Sequence, residues 1–336
     1  MSNQAAFLKE KNAQITVEER PIPKPGANEL LIKNAAFATN PVDWKMQSSG
    51  NWIESYPTIL GSDVAGTVEE AGSGVSHFKK GDRVAGFADV LASKNYDNGA
   101  FQQYTVLKDC AATRLPGSIS FEEGSILPMA VATAGVGIFL ALDIPRPPAK
   151  SQGGFLVWGA SSSVGSAAVQ IAASLGYTVY GVCSPRHSAY VKELGAHDTF
   201  DYNDSLVDKK IVQSLKAANE QIVIAYDAIV EHGSAQICVE VLEAFGGGKL
   251  CLTLPYPKDA RQTERVEISS FYAARVVLEQ DFGRWLFNEW LERSLADKTF
   301  IPSPAIEKVD GGIQAVQKAL DMHKKGLSGK KLVITL

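Results

Sequence analysis

The sequence has 336 residues, enough for two domains that each bury a hydrophobic core. Hydrophobic residues make up 45% and charged residues 21%, as in ordinary soluble globular proteins, and the net charge of −4 gives no electrostatic support for nucleic-acid binding. The four cysteines are widely scattered and form no C-x-x-C pair, which argues against a zinc ribbon or a disulfide framework. Because the polar N-terminus carries no secretory or transit signal, we expect a cytoplasmic protein with no membrane partner.

The first third of the chain contains short strand patterns separated by turn residues. We predict a hairpin from residues 5–9 and 15–18, followed by strands at residues 29–38, 59–68 and 100–107. Residues 41–50 are expected to be irregular, with at most one helical turn. Glycines inside the strand patterns mark bulges and close approaches of the backbone, so we predict a β-rich first domain that resembles a small barrel.

The pattern changes near residue 121. A helical region is predicted to run to about residue 142, and because its apolar part is short and contains Pro128 and Gly135, we expect a buried helix, not a membrane span. Strand patterns then follow at residues 155–158, 178–182, 198–202, 221–228 and 249–254, with helical patterns between them. This alternation predicts a parallel, doubly wound sheet. Helices at 271–296 and 311–325 and a strand at 331–336 are expected to return to the first domain.

The first strand-to-helix turn of that sheet is rich in small residues and reads GASSSVG over residues 159–165. Unpaired backbone N–H groups and the helix dipole favour an anion such as a dinucleotide pyrophosphate at such a position. The turn departs from the strict G-x-G-x-x-G pattern, of which only the last glycine, Gly165, remains. An ordinary serine-rich helix cap is therefore an alternative.

The end of the second strand carries information about the cofactor. An enzyme that prefers NAD places Asp or Glu there to hold the ribose hydroxyls, but this chain has Cys183 to His187 and no acid. Ser184 and Arg186 could bind a 2′-phosphate, because a hydroxyl can donate to it and a guanidinium can contact two of its oxygens. The sequence therefore favours NADPH over NADH, with a solvated surface arginine as the alternative for Arg186.

Several short segments, in order along nearly the whole chain, resemble the medium-chain dehydrogenase/reductase superfamily. They are residues 40–45 (NPVDWK), 61–68 (GSDVAGTV), 81–84 (GDRV), 99–101 (GAF), 132–134 (ATA), 159–165 (GASSSVG) and 329–333 (GKKLV). The resemblance is to the zinc-free quinone oxidoreductase and enoyl reductase branch. In detail the chain is similar to fungal trans-acting enoyl reductases, which partner polyketide synthases in secondary metabolism, and to ToxD-like proteins.

The resemblance implies an α/β protein with two domains. One is a GroES-like β-barrel catalytic domain formed by residues 1–122 and 263–336, and the other is a Rossmann domain that binds NADPH, residues 123–262. Relatives of this kind are monomers or homodimers, and both remain open for this chain.

The chain lacks the zinc ligands of the zinc-dependent members of this superfamily, and this limits the reactions that the resemblance implies. Zinc-dependent members have a cysteine where Asn40 stands and a His-Glu pair near Ser62 and Asp63, and they carry four closely spaced cysteines for a structural zinc. Because this chain has none of these, we expect no metal site and disfavour alcohol dehydrogenation. Reduction of a C=C bond conjugated to a carbonyl needs only a hydride donor and hydrogen-bond donors aimed at the carbonyl oxygen.

The resemblance also implies roles for individual residues. Lys45 and Thr133 are expected to be catalytic, although a surface lysine and a packed threonine are about equally good interpretations. The expected cofactor-binding residues are Ser161, Ser162, Ser163, Val164, Ser184, Arg186, His187, Tyr202, Leu254, Leu327 and Ser328. Phe271 and Tyr272 are expected to line the substrate site, although aromatic residues on a helix are more often core. The remaining histidines, at 77, 197, 232 and 323, are interpreted as structural.

The sequence therefore predicts an NADPH-dependent reductase of activated carbon–carbon double bonds. An enoyl reductase is the favoured assignment, with an acyl chain on a carrier protein as substrate and a polyketide synthase as possible partner. A quinone or free-enone oxidoreductase with the same fold is one alternative. A non-catalytic NADPH-binding sensor or structural protein is another.

Overall fold

The computed structural model describes residues 2–147 and 153–336. In chain order the strands are β1 (Asn3–Leu8), β2 (Thr16–Arg20), β3 (Glu29–Ala38), β4 (Thr58–Ile59), β5 (Asp63–Ala71), β6 (Arg83–Phe87), β7 (Tyr104–Lys108), β8 (Ala112–Arg114), β9 (Gly154–Trp158), β10 (Thr178–Val182), β11 (Ala196–Phe200), β12 (Ile222–Asp227), β13 (Gly248–Leu252), β14 (Val266–Ser270), β15 (Ala305–Lys308) and β16 (Lys330–Thr335).

The helices are α1 (Pro41–Ser49), α2 (Val90–Ser93), α3 (Phe121–Ser125), α4 (Pro128–Gly135), α5 (Ser163–Ser174), α6 (Ser188–Glu193), α7 (Val207–Ala217), α8 (Ser234–Glu243), α9 (Arg275–Leu278), α10 (Gln280–Gly283), α11 (Glu292–Ala296) and α12 (Val316–Lys324). Two π-helical segments, Val136–Ala141 and Arg284–Leu291, continue α4 and α10. Short 3₁₀ turns lie at Tyr96–Asn98, Asp109–Ala111, Pro185–His187 and Gly312–Ala315.

The chain divides into two compact units. Unit 1 comprises the residues up to Ala132 together with Ala274–Leu336, and unit 2 is Thr133–Ala273. The boundaries expected from the sequence, after residues 122 and 262, lie earlier in the chain, since α3 packs on β3 and β5 of unit 1 and β14 pairs within the sheet of unit 2.

Unit 1 is built from two sheets. A seven-stranded sheet has the order β15-β16-β3-β5-β6-β8, with β7 also paired to β3, and a three-stranded sheet has the order β2-β1-β4. Alternate residues of β3, among them Leu30 and Ile32, are fully buried in a core that includes Phe37, Val64 and Phe101. This confirms the β-rich first half predicted from the short strand patterns.

Unit 2 contains one six-stranded parallel sheet with the order β11-β10-β9-β12-β13-β14. Phe155, Leu156 and Val157 of the central strand β9 are fully buried, because parallel strands are covered on both faces. The predicted doubly wound sheet is confirmed, with the strand order of a Rossmann fold.

The structure differs from the sequence predictions in several places. Residues 41–50, expected to be irregular, contain the nine-residue helix α1, and the strand expected from residue 100 begins only at Tyr104. Strands β14 and β15 were not predicted, since both are short and largely polar. Helix α1 forms because Pro41 opens it, Asp43 accepts the N–H of Asn40, and Gly50 ends it at φ 71°.

One helical stretch, Phe121–Ala141, is long and apolar enough to span a membrane, but 83% of its most apolar window is buried inside the structure. It contains α3, α4 and the π-helical segment that follows them. The expectation of a buried core helix agrees with this burial.

Candidate functional site

The predicted cofactor residues of unit 2 follow the carboxyl ends of parallel strands. Trp158 of β9 lies beside Val182 of β10, and Val182 lies beside Phe200 of β11, so these three strands end at one edge of the sheet. Residues 161–164, Ser184 to His187 and Tyr202 come directly after those ends. Ligands of open parallel sheets commonly bind outside this edge, and the predicted residues lie in the loops that follow it.

The turn between β9 and α5 is shaped for an anion. Ser162 caps the helix, with its Oγ accepting the N–H of Gly165 at 3.0 Å, and this leaves the N–H groups of Ser163 and Val164 without a partner inside the helix. A Cβ on Gly165 would lie 2.1 Å from the carbonyl oxygen of Gly159. The missing side chain therefore lets the helix begin directly against the strand end.

The end of β10 combines an unsatisfied hydroxyl with a cation. Ser184 is 8% exposed, and its Oγ makes no hydrogen bond within the described residues. Arg186, two residues on, is exposed, and neither a hydrogen bond nor an ion pair to another described residue engages its side chain. Burial and the Arg186 charge lower the pKa of His187. An anion at this position would give the buried hydroxyl the partner that buried polar groups normally have.

An acidic side chain, that of Asp201, lies near this site. Asp201 interacts electrostatically with the Cys183 thiol, whose pKa is raised to about 11 mainly by burial. Its Oδ1 accepts the backbone N–H of Asn203 at 2.9 Å and the side-chain amide of Asn203 at 3.0 Å. The Asp201 carboxylate thus accepts its hydrogen bonds from the turn in which it lies.

The remaining predicted residues of unit 2 sit in loops after the strands. Tyr202 lies two residues beyond β11, although the sequence placed it at the end of that strand, and it is 47% exposed. Leu254 and Tyr272 follow β13 and β14, which pair Leu252 with Ser270, and both side chains are exposed. Phe271 and Tyr272 were expected on a helix but precede α9, because β14 occupies the residues just before them.

Thr133 lies on α4, is 8% exposed, and has its backbone oxygen bonded to the hydroxyl of Tyr226 at 3.1 Å. Tyr226 is fully buried on β12, and burial raises the pKa of its hydroxyl well above the ordinary value. The tyrosine hydroxyl therefore acts as a donor that fixes the backbone of α4 at Thr133.

In unit 1, Lys45 lies on α1 and is half-buried, with its Nζ 5.8 Å from the centre of the Trp44 ring. Leu327 and Ser328 follow the end of α12, and Leu327 packs against the core of unit 1. Helices α1 and α12 pack against each other.

A buried polar network in unit 1 was missed by the sequence reasoning. Lys331 is 2% exposed, and its Nζ lies 2.6 Å from Oδ2 of Asp63, which is fully buried. The side chain of Asn40 closes a triangle, donating from Nδ2 to Asp63 at 2.8 Å and accepting from Lys331 at 3.0 Å. The third N–H of Lys331 reaches the carbonyl oxygen of Ile126 at 3.3 Å, and Oδ1 of Asp63 accepts the N–H of Met129 at 2.6 Å.

Two titratable groups border this network. Burial raises the pKa of Asp43 to about 7, with the neighbouring Asp63 charge acting in the same direction. Burial also lowers the pKa of His323 to about 4, helped by the charges of Lys331 and Lys45. His323 is thus a neutral imidazole at physiological pH, and its Nδ1 lies 3.0 Å from Oγ1 of Thr39.

Comparison with known proteins identifies the family. Residues 26–117 match the family model described as the alcohol dehydrogenase GroES-like domain. The dehydrogenase pigH of Monascus ruber is 35% identical over an alignment of 372 residues that covers 100% of both chains. The chain belongs to the medium-chain dehydrogenase/reductase superfamily.

Two further similarities agree with this assignment. The trans-enoyl reductase tndF of Aspergillus flavipes is 37% identical over 344 residues, with 99% of each chain covered. The solved quinone oxidoreductase of Pseudomonas syringae pv. Tomato DC3000 has the same fold, with a TM-score of 0.77, 21% identity and 100% coverage of both chains. The chain is an oxidoreductase with a GroES-like domain and a Rossmann sheet.

Membership in this superfamily implies a nicotinamide cofactor. The residues of unit 2 fit such a group: a capped helix start with unpaired backbone N–H groups follows β9, and the Ser184 hydroxyl, without a partner among the described residues, is two positions from Arg186. The backbone of α5 would hold the pyrophosphate, and the nicotinamide would supply the hydride.

Some members of the superfamily use a metal, but the side chains of unit 1 do not fit one. No group of three His, Cys, Asp or Glu side chains in residues 2–147 and 153–336 is arranged to hold a metal ion. Asp63, the acid nearest to the expected metal position, is already neutralised by Lys331 and bonded to Asn40 and Met129. A catalytic zinc needs three protein ligands, whereas this network offers one carboxylate that already accepts three hydrogen bonds.

Proposed function

We propose that this protein is a metal-independent, NADPH-dependent reductase of carbon–carbon double bonds conjugated to a carbonyl. An enoyl thioester carried by the carrier domain of a polyketide synthase is the proposed substrate. The curated relative tndF, named a trans-enoyl reductase and similar over nearly the whole chain, supports this substrate class.

The observation that carries the cofactor assignment is the pair formed by Ser184 and Arg186. The buried Ser184 hydroxyl has no protein partner among the described residues, and the neighbouring Arg186 guanidinium makes no ion pair with them. An acid that would bind a ribose 2′-hydroxyl and repel a 2′-phosphate is missing from the residues after β10. A 2′-phosphate would satisfy the hydroxyl and the guanidinium together.

The polar network in unit 1 supports a reaction without a Lewis acid. Deprotonating an alcohol at neutral pH relies on a metal ion or an equivalent base, and Asp63 is unable to serve because its charge is neutralised by Lys331 at 2.6 Å. Reducing an activated double bond requires no such group. A nicotinamide bound at unit 2 would provide the hydride for the β-carbon, and the α-carbon would take its proton from solvent.

Negative charge develops on the carbonyl oxygen during this reaction. Lys45, half-buried on α1, is proposed to stabilise this charge with its ammonium group. Thr133, whose backbone is held by Tyr226, is proposed to orient the nicotinamide. Phe271 and Tyr272 are proposed to contact the acyl chain.

The test measures the loss of NADPH absorbance with purified protein and a panel of enoyl thioesters, free enones and quinones, and repeats each assay with NADH. We expect oxidation of NADPH by enoyl thioesters, a much slower reaction with NADH, and no loss of rate with a chelator. Turnover with quinones alone would assign the protein to the quinone oxidoreductases. A stoichiometric zinc found by elemental analysis would contradict the metal-independent mechanism.

A further inference from the structure

The buried network of Asn40, Asp63 and Lys331 lies at the start of the helix that carries Lys45. From this geometry we infer that Lys331 is a positioning residue: through Asp63 and Asn40 it fixes helix α1, and thereby Lys45, for the reaction. The inference rests on the proposed function, in which Lys45 stabilises the developing charge.

Every donor of the Lys331 ammonium is used inside the protein. Its three N–H groups have three acceptors, in Asp63 at 2.6 Å, Asn40 at 3.0 Å and Ile126 at 3.3 Å. With 2% of its surface exposed, Lys331 has no remaining donor for a substrate. Its effect on chemistry must therefore pass through the groups that it binds.

Asn40 links the network to α1. Its backbone N–H donates to Oδ2 of Asp43 at 2.7 Å and its backbone oxygen accepts the N–H of Asp43 at 3.0 Å, so both backbone groups of Asn40 are satisfied at the start of the helix. The side-chain amide is left for Lys331 and Asp63, and only one orientation of the amide satisfies both. The network thus fixes the residue from which α1 begins, five positions before Lys45 in the sequence.

The network also joins segments that are distant in sequence. Lys331 is on β16, Asp63 begins β5, and Met129 lies in the first turn of α4. Helix α12, which packs on α1, carries His323, and the pKa of this histidine is lowered partly by Lys331 and Lys45. Both lysines therefore lie within electrostatic range of the same imidazole.

Stability alone is a poor explanation for such an arrangement. Removing two charges from water is costly, and well-packed neutral residues often stabilise a protein as well as a buried ion pair does. A buried pair with every hydrogen bond satisfied does, however, restrict its elements to one geometry. Reaction rates are sensitive to displacements of about 1 Å in a charge-stabilising group.

The test compares the wild-type protein with the double variant K331M/D63N. In this variant the amide oxygen at position 63 can still accept the N–H of Met129. Its NH2 can donate to the Asn40 oxygen once the Asn40 amide turns over, which the loss of Lys331 allows, so no buried charge is left unpaired. We expect a cooperative melting transition and an unchanged dissociation constant for NADPH, because the cofactor residues of unit 2 are untouched. We expect kcat with the enoyl thioester to fall at least about tenfold.

Hydrogen exchange gives a readout that does not depend on activity. Amides of residues 43–49 should exchange at least about fivefold faster in K331M/D63N than in the wild type. K330M is the matched control, since Lys330 is the exposed neighbour on the same strand and pairs with Glu307 at 3.2 Å, and it should change neither readout.

A second variant covers the case in which the double variant does not fold. N40A leaves the pair of Lys331 and Asp63 in place and removes the N-cap amide that joins this pair to α1, and it should show the same two effects. The inference would be overturned if the amides of α1 exchanged hydrogen at the wild-type rate in these variants. It would also be overturned if the amides exchanged faster while kcat stayed at the wild-type value. If the wild-type protein turns over no substrate, the proposed function fails, and the exchange data alone decide whether the network holds α1.

Discussion

At the scale of single residues, the cofactor assignment rests on the two side chains that come after β10. The sequence shows that Ser184 and Arg186 replace the acid expected for NAD, but it leaves open whether either side chain is available. The structure adds that the Ser184 hydroxyl is buried and has no hydrogen-bond partner among residues 2–147 and 153–336, a costly state unless a ligand supplies one. The residue types pointed to a phosphate, and the unsatisfied hydroxyl strengthens that interpretation.

The substitution Arg186→Ala tests this assignment. We expect the dissociation constant for NADPH to rise at least about tenfold, because a charge-assisted pair with a phosphate is lost, whereas that for NADH stays within about twofold. Fluorescence titration of the two cofactors measures both constants.

Arg265→Ala is the matched control, since Arg265 is also an exposed arginine of unit 2 but lies before β14, away from the residues after β10. It should leave both constants unchanged. If Arg186→Ala weakened the binding of NADPH and NADH equally, Arg186 would not be the residue that binds the 2′-phosphate.

At the scale of elements, the contact between α5 and β9 depends on a missing side chain. Gly165 adopts ordinary helical geometry, so its backbone conformation does not require glycine. The requirement is steric, since a Cβ would lie 2.1 Å from the Gly159 oxygen and 2.9 Å from Cα of Ala160. These are backbone atoms, which are unable to move aside as a flexible side chain would.

We predict that Gly165→Ala pushes α5 away from the strand end. The free energy of unfolding should fall by about 1–3 kcal/mol, the usual cost of overpacking, and NADPH affinity should fall at least about tenfold as the unpaired N–H groups move. Urea denaturation and cofactor titration measure the two effects. Gly117→Ala, where a Cβ meets nothing within 4 Å, is the control and should be neutral in both. Wild-type affinity in Gly165→Ala would argue against a pyrophosphate at this turn.

Helix α1 shows that hydrophobic periodicity can fail to predict a short helix. Its residues, PVDWKMQSS, lack a clear apolar face, so hydrophobic periodicity predicted no helix. The helix forms because its ends are well capped and because Met46 and Gln47 are buried against the rest of unit 1. Capping signals from Pro41, Asp43 and Gly50 were present in the sequence and would have indicated the helix.

At the scale of the whole molecule, Asp43 couples stability to pH. Burial raises the pKa of its carboxyl to about 7 in the folded protein, from an ordinary value of 3.8. The unfolded chain therefore loses this proton at lower pH than the folded protein does. The contribution of Asp43 to stability is fully present below pH 3.8 and is lost as the pH rises through about 7.

Asp43→Asn removes this titration. We predict that the variant gains stability relative to the wild type between pH 4 and pH 8, by at least about 1 kcal/mol. Urea denaturation at several pH values measures the difference. The pKa values of Asp89 and Asp227 are also raised by burial, but both proteins contain these residues, so their contributions cancel. If the difference in unfolding free energy between the variant and the wild type did not change between pH 4 and pH 8, Asp43 would be ionised in the folded protein over this whole range.

The sequence by itself determined the family, the β-rich unit, the parallel sheet and which residues follow the strands. These features follow from hydrophobic periodicity, turn residues and short motifs, all of which are local signals. Only the tertiary structure decided where Lys331 lies. Nothing local distinguishes it from Lys330, which is exposed on the same strand, because burial depends on β16 pairing with β3 beside Asn40. The pairing of β3 with β5, which sets Asp63 beside Ala38, brings the carboxylate to the same place. Contacts between residues so far apart in sequence leave no periodic pattern in the chain.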